Sequence, residues 1–135
     1  MLNENAEKWI AALRSGKYTQ GCGALHVKTY RDHEEFCCMG VACEVYREEV
    51  GGHWGPEVPH QNKDLGSMFS FIDADGGSRT GSLPKGVADW LGLSDGSGGL
   101  MKNSIPLVEL NDRARLSFAE IADIIEDDPE GLFRA

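Results

Sequence analysis

An α+β fold is predicted for this chain: a small antiparallel sheet or hairpin, preceded by an N-terminal helix and followed by a C-terminal helical cluster. Three patterns predict it. Ala6, Trp9, Ile10 and Leu13 recur at helical spacing. Residues 22–29 alternate, with Ala24, His26 and Lys28 set against Leu25, Val27 and Thr29, ahead of the turn former Asp32. Ser117 and Glu120 form a capping box before the inward-facing set Phe118, Ile121, Ala122 and Ile125.

In the first helix, Asn3 or Asn5 is placed to cap the start, Gly16 to end it, and Trp9 to enter the core. A hairpin pairs 22–29 with 34–39, and Gly40 breaks its second strand. "VACEVYREEVGG" reads as a helix with Val41, Ala42, Val45 and Tyr46 on one face, stopped by Gly51 and Gly52. Residues 53–63 are turn-rich and predict a loop, "SMFSFID" one short strand, and "DADGGSRTGS" a loop. "LPKGVADWLGL" predicts a helix with Pro84 in first position, Gly92 just past the end, and Val87, Trp90 and Leu91 on one face. "SIPLVELNDRARL" is a short helix or turn. Leu116 is placed to staple onto Ile121, and Pro129 closes the last helix. No internal repeat is visible, and 135 residues suit one domain over 1–135.

A formal net charge of −9 argues against a general nucleic-acid binder, which needs a basic face to displace counterions. It leaves room for a small anion held by a few arginines and backbone N–H groups. No run approaches the roughly 20 apolar residues of a membrane span. The polar start "MLNENAEKWI" lacks the basic end and apolar stretch of a signal peptide, so a cytosolic protein with reduced thiols is expected.

Three of the four cysteines crowd into "FCCMGVACEV". Adjacent Cys37 and Cys38 point to opposite faces if they lie in a strand, so only one can reach a shared metal. Cys22 with His26, or His33 with Cys37, has the even spacing of a shared face, but no CxxC knuckle is present. The preferred reading is small apolar filler with no metal bound. Glu34, Glu35 and Glu44 make the setting acidic, which disfavours a catalytic thiolate. "DADGGSRTG" fails as a calcium loop because the twelfth position from Asp73 is Pro84. Its glycines and Arg79 would suit phosphate, although a plain connecting loop is the simpler reading. No nucleotide-cofactor, Walker, zinc-protease or serine-hydrolase motif occurs. The expectation is a non-enzyme without catalytic residues or cofactor.

"ELNDRAR" carries the binding chemistry. Asn111 can read a base edge through paired donor and acceptor groups. Arg113 and Arg115 can fork onto phosphate, with Arg31 at the hairpin tip as a further cation. Trp90 or Phe118 can stack on a base. The plainer alternative makes Asn111 and Asp112 turn caps and leaves the arginines to balance acidic neighbours.

The run of "KWIAALRSGKYTQGCGAL", "FCCMGVACEV", "LPKGVADWLGL" and "LVELNDRARLSFAEIADIIEDDPEGLF" resembles a group of small proteins common in tailed phages and prophages. That group in turn resembles the first family of Thoeris anti-defence proteins, sponges for cyclic ADP-ribose isomers and some cyclic oligonucleotides. The resemblance implies a cytoplasmic protein of the infected host, dimeric or higher, that sequesters a cyclic nucleotide without cleaving it. It implies an asparagine, an aromatic and several arginines at a ligand near a subunit boundary, with Asn111 and Trp90 standing for the first two. The two arginines of "NDRARLSF" depart from the small and polar residues expected of relatives. The alternative is an acidic phage accessory protein that inhibits a host protein by direct contact.

Overall fold

The computed structural model describes residues 2–60, 66–98 and 106–134. Helix α1 (Glu4–Arg14) is capped by Asn3, whose side chain accepts from the Ala6 N–H at 2.8 Å. Its stripe of Ala6, Trp9, Ile10 and Leu13 is buried. Trp9 Nε1 donates to the Cys38 carbonyl at 2.9 Å, which satisfies the indole's one polar group inside the core.

The hairpin is present but shorter than predicted. Strands β1 (His26–Lys28) and β2 (Glu34–Phe36) pair antiparallel, with His26 opposite Phe36 and Lys28 opposite Glu34. Asp32 takes φ 63° in the turn between them, a left-handed position that aspartate tolerates. Residues 37–39 do not continue the strand. Cys37 is the N-cap of α2 (Cys38–Glu49), so Gly40 lies inside a helix and breaks nothing. Its role is close approach. The Cys37 N–H donates to the Leu25 carbonyl at 3.2 Å, and a Cβ on Gly40 would collide with that same oxygen.

The stretch predicted as a loop holds two short strands, β3 (His53–Trp54) and β4 (Val58–Pro59); its last residues, 61–63, lie outside the described residues. The single strand predicted from "SMFSFID" is two, β5 (Ser67–Phe69) and β6 (Phe71–Ile72), which belong to different sheets. With β7 (Ser78–Arg79) they complete a four-stranded sheet in the order β2-β1-β5-β4 and a three-stranded sheet in the order β3-β6-β7. Every pair is antiparallel.

This division explains why the alternation in β1 misleads. Val27 is buried, yet His26 on the other face is also only 5% exposed. The His26 ring stacks between its two cross-strand partners, Phe36 at 4.4 Å and Phe69 at 4.3 Å, and Trp54 meets it edge-on at 4.7 Å. His26 Nε2 lies 2.9 Å from Glu34 Oε1, while its buried Nδ1 has no hydrogen-bond partner. Burial pushes the imidazole below its ordinary value, against the opposing pull of Glu34.

Helix α3 (Lys85–Leu91) starts one residue later than predicted, with Pro84 as N-cap. It ends at Gly92, whose φ of 79° is the left-handed C-terminal geometry that glycine allows. Val87, Ala88 and Leu91 are buried, and Trp90 is only half-buried. Helix α4 (Leu107–Asp112) and helix α5 (Phe118–Glu126) follow. The capping box forms as predicted: Ser117 Oγ accepts from the Glu120 N–H at 3.1 Å, and Glu120 Oε1 accepts from the Ser117 N–H at 3.0 Å. The fold is therefore α+β, with a core cluster that draws on the five helices of the described residues, β2 and β6. No helix among the described residues is long and apolar enough to cross a membrane.

Candidate functional site

Three of the four chain segments on which the resemblance rests, the first, second and last, meet around Asn111. This residue is 2% exposed, on α4. Its Oδ1 accepts from Gln20 Nε2 at 2.9 Å and from the Cys38 N–H at 3.1 Å. Its Nδ2 donates to the Gly21 carbonyl and to Asp112 Oδ1, both at 2.8 Å. The amide's two donors and two lone pairs are thus all engaged within the chain. Gln20 extends the network, donating to the Leu116 carbonyl at 2.7 Å and accepting from the Phe118 N–H at 3.0 Å. Two side chains therefore satisfy first-turn N–H groups of α2 and α5, a need that every helix start has. Cys37 offers α2 no side-chain cap, so Asn111 supplies the acceptor from another helix. The expectation is that Asn111 presents its amide to a base; in this structure the amide is engaged within the chain as a structural bracket.

A small cleft of about 210 Å³ sits over that bracket, lined by Gln20, Gly21, Cys22, Glu35, Asn111 and Arg115. Of the predicted ligand residues only Asn111 and Arg115 come together there. Arg115 holds φ 54°, an uncommon position for a side-chain-bearing residue. Arg113 is exposed and sits 4.0 Å from Glu109 across one helical turn, as the charge-balancing alternative predicted. Trp90 meets Tyr46 edge-on at 5.6 Å, and Arg31 lies over the exposed Tyr30 ring at 5.6 Å. Neither lines the Asn111 cleft.

The thiols fit their reading as packing. Cys37, Cys38 and Cys43 are buried and all four cysteines are free. Burial pushes the Cys37 thiol up to about 12 and holds Cys38 and Cys43 well above the usual range, so none is a thiolate near neutrality. Only Cys22 is partly exposed. Among the described residues no group of three or more His, Cys, Asp or Glu side chains is placed to hold a metal ion.

The Gly-rich loop also differs from its phosphate reading. Asp73 is 4% exposed, and its carboxylate accepts from the N–H groups of Asp75, Gly77 and Gly86 at 2.8 to 2.9 Å. The backbone donors that a phosphate would need are taken by an internal anion. This carboxylate closes the β6–β7 turn and ties it to α3. Arg79 then projects onto a different surface.

That surface is an open cleft of about 420 Å³ beside α3, a volume ordinary for a small-molecule site. Arg79 comes from β7, Lys85 and Asp89 from α3, Asp95 from the following loop, and Arg134 from the C-terminal segment. The last is held by main-chain bonds. Ser94 N–H donates to Leu132 O at 2.9 Å, and Arg134 N–H to Gly92 O at 2.8 Å. Lys85 Nζ lies 2.6 Å from Asp89 Oδ2 and Arg134 Nη2 2.7 Å from Asp89 Oδ1. Lys85 and then Arg134 hold the Asp89 carboxyl below the usual range. Arg79 donates to the Ser78 carbonyl at 2.8 Å and, among the described residues, pairs with no carboxylate. Neither Trp90 nor Arg31 lines this cleft, and no aromatic among the described residues does. Sequence reasoning named Arg79 but missed Lys85 and Arg134. The i, i+4 spacing of Lys85 and Asp89 is a visible signal of their pairing. Arg134 meets Asp89 from 45 residues away, and nothing local announces it.

An α+β domain with a cation-lined cleft defines a class only broadly. Within that class, the chain belongs to the family described as Domain of unknown function (DUF8296), whose model matches residues 1–129. No curated protein and no solved structure matches the chain.

Proposed function

We propose that this protein binds a small phosphate-bearing molecule in the cleft beside α3 and holds it without cleaving it. The observation that carries the reading is the convergence of Arg79, Lys85 and Arg134 on one cleft of a chain whose net charge is −9. Guanidinium and ammonium groups facing one cavity form a phosphate-binding set. The resemblance to the Thoeris anti-defence sponges supports a finer version: a phage protein that sequesters a cyclic ADP-ribose isomer or cyclic oligonucleotide in the host cytoplasm.

Energetics support an assembly with more than one subunit. Nanomolar binding requires about −12 kcal/mol. Three charge-assisted bonds at about 1.5–3 kcal/mol each fall short of it, and part of their sum is lost to association entropy. Base stacking adds about 1–3 kcal/mol, but this cleft has no aromatic wall. A second copy closing the open side would supply both enclosure and a stacking ring.

The test incubates the protein with cyclic ADP-ribose isomers and with cyclic di- and trinucleotides, then heats it and analyses what is released. Recovery of unaltered ligand, with a thermal shift lost in Arg134→Ala, is the expected result. Altered nucleotide would point to an enzyme. A macromolecular partner in pull-downs with no nucleotide shift would favour the host-protein inhibitor.

A further inference from the structure

Asp89 occupies the position that an incoming phosphate would want. Its two oxygens serve two different cations, Oδ2 taking Lys85 Nζ at 2.6 Å and Oδ1 taking Arg134 Nη2 at 2.7 Å. A carboxylate bridging an ammonium and a guanidinium imitates a bound oxyanion. Of the three lining cations only Arg79 is left without a carboxylate partner among the described residues. The other lining carboxylate, Asp95, accepts from the Ser97 N–H at 2.8 Å and the Ser97 hydroxyl at 2.7 Å, so it shapes the loop. Lys85 is 86% exposed and Arg134 54% exposed at their side chains, free to swing to another anion without leaving a buried charge behind.

We propose that Asp89 is an internal competitor for the ligand's phosphate, a stand-in anion that must release Lys85 and Arg134 before the cleft can hold its guest. The proposal rests on the cleft being an anion seat, as argued above. It makes Asp89 a specificity-determining residue. A weak or singly charged anion does not displace a carboxylate that already bridges two cations. A ligand carrying two negative groups does, because it can engage Arg79 and the released pair together. The device sets a threshold that keeps ordinary cellular anions out of an exposed basic cleft.

Binding of inorganic pyrophosphate and of inorganic phosphate is measured by calorimetry at fixed salt for wild type, Asp89→Asn, Arg134→Ala and the double variant. Asp89→Asn keeps the side chain's shape and removes its charge. The expected result is pyrophosphate binding roughly tenfold tighter in Asp89→Asn, the scale of two partly exposed ion pairs. Phosphate, undetected or weak in wild type, becomes measurable. The gain disappears when Arg134→Ala is added, as coupled residues require. Unchanged or weaker binding in Asp89→Asn would overturn the competitor role while leaving the anion seat intact, because Asp89 would then be positioning the two cations. No binding by wild type or Asp89→Asn would overturn the anion seat itself, and the competitor with it. A thermal melt of each variant confirms folding, since exposed pairs of this kind contribute little to stability.

Discussion

The bracket around Asn111 and the cleft beside α3 are built from similar polar side chains, yet one is closed and the other open. Asn111 and Gln20 are engaged with backbone groups of α2, α5 and the 20–21 segment. Their partners cannot be replaced by water without unravelling helix starts. Lys85 and Arg134 share the Asp89 carboxylate at the surface, and Arg79 donates to the Ser78 carbonyl, bonds that are easily exchanged. The difference teaches that hydrogen-bonding capacity alone does not mark a ligand site; what matters is whether the fold has already used it.

The largest effect should come from breaking the bracket. Asn111→Ala leaves the buried Cys38 N–H and the half-buried Gly21 carbonyl without their Asn111 partner, the first at about 1–3 kcal/mol and the second at less. A loss of about 2–4 kcal/mol in unfolding free energy is expected in a denaturant titration, with anion binding retained by the folded fraction. Gln20→Ala should cost somewhat less, about 1–3 kcal/mol, because the bonds of Gln20 to Leu116 and Phe118 are only partly buried whereas the Asn111–Cys38 bond is fully buried. Arg134→Ala should do the reverse: change stability by less than about 1 kcal/mol and weaken ligand binding by about tenfold or more. A stability loss in Arg134→Ala as large as that of Asn111→Ala would erase the contrast between the two regions.

A smaller effect lies in the aromatic ladder. Burial lowers the His26 pKa in the folded protein from the ordinary 6.5. The unfolded chain therefore takes up a proton more readily than the folded one, and stability falls as pH drops below about 6.5. Wild type should melt at a lower temperature at pH 5.5 than at pH 7.5. His26→Phe, which keeps the ring between Phe36 and Phe69, should shrink that difference. An equal drop in both proteins would show that other groups carry it. The carboxyl of Glu44, pulled below its ordinary value by Arg47 and Trp54 against the cost of burial, loses its contribution only at lower pH.

Local patterns revealed the helices and hid the sheets. The stripe of α1, the capping box of α5 and the glycine end of α3 each follow from a few neighbouring residues, and each is observed. The strands are two or three residues long, too short for alternation to declare itself. Ser70 divides one apolar run between two sheets, which no local signal marks. Gly40 shows the same limit, since its reason is the Leu25 carbonyl fifteen positions earlier. The site was legible in its chemistry more than in its place. The sequence pointed to arginines and an asparagine, but Asn111 was drawn into the bracket by Gln20 and Cys38. The cleft took Arg134 from the far end of the chain.

The most direct measurement is an amide-resolved NMR titration of the protein with a cyclic dinucleotide and with pyrophosphate. The account predicts shifts concentrated at 78–97 and at 132–134, with Gln20, Gly21 and Asn111 unmoved. Shifts centred on Gln20–Cys22 and Asn111–Arg115, with the α3 cleft silent, would contradict it.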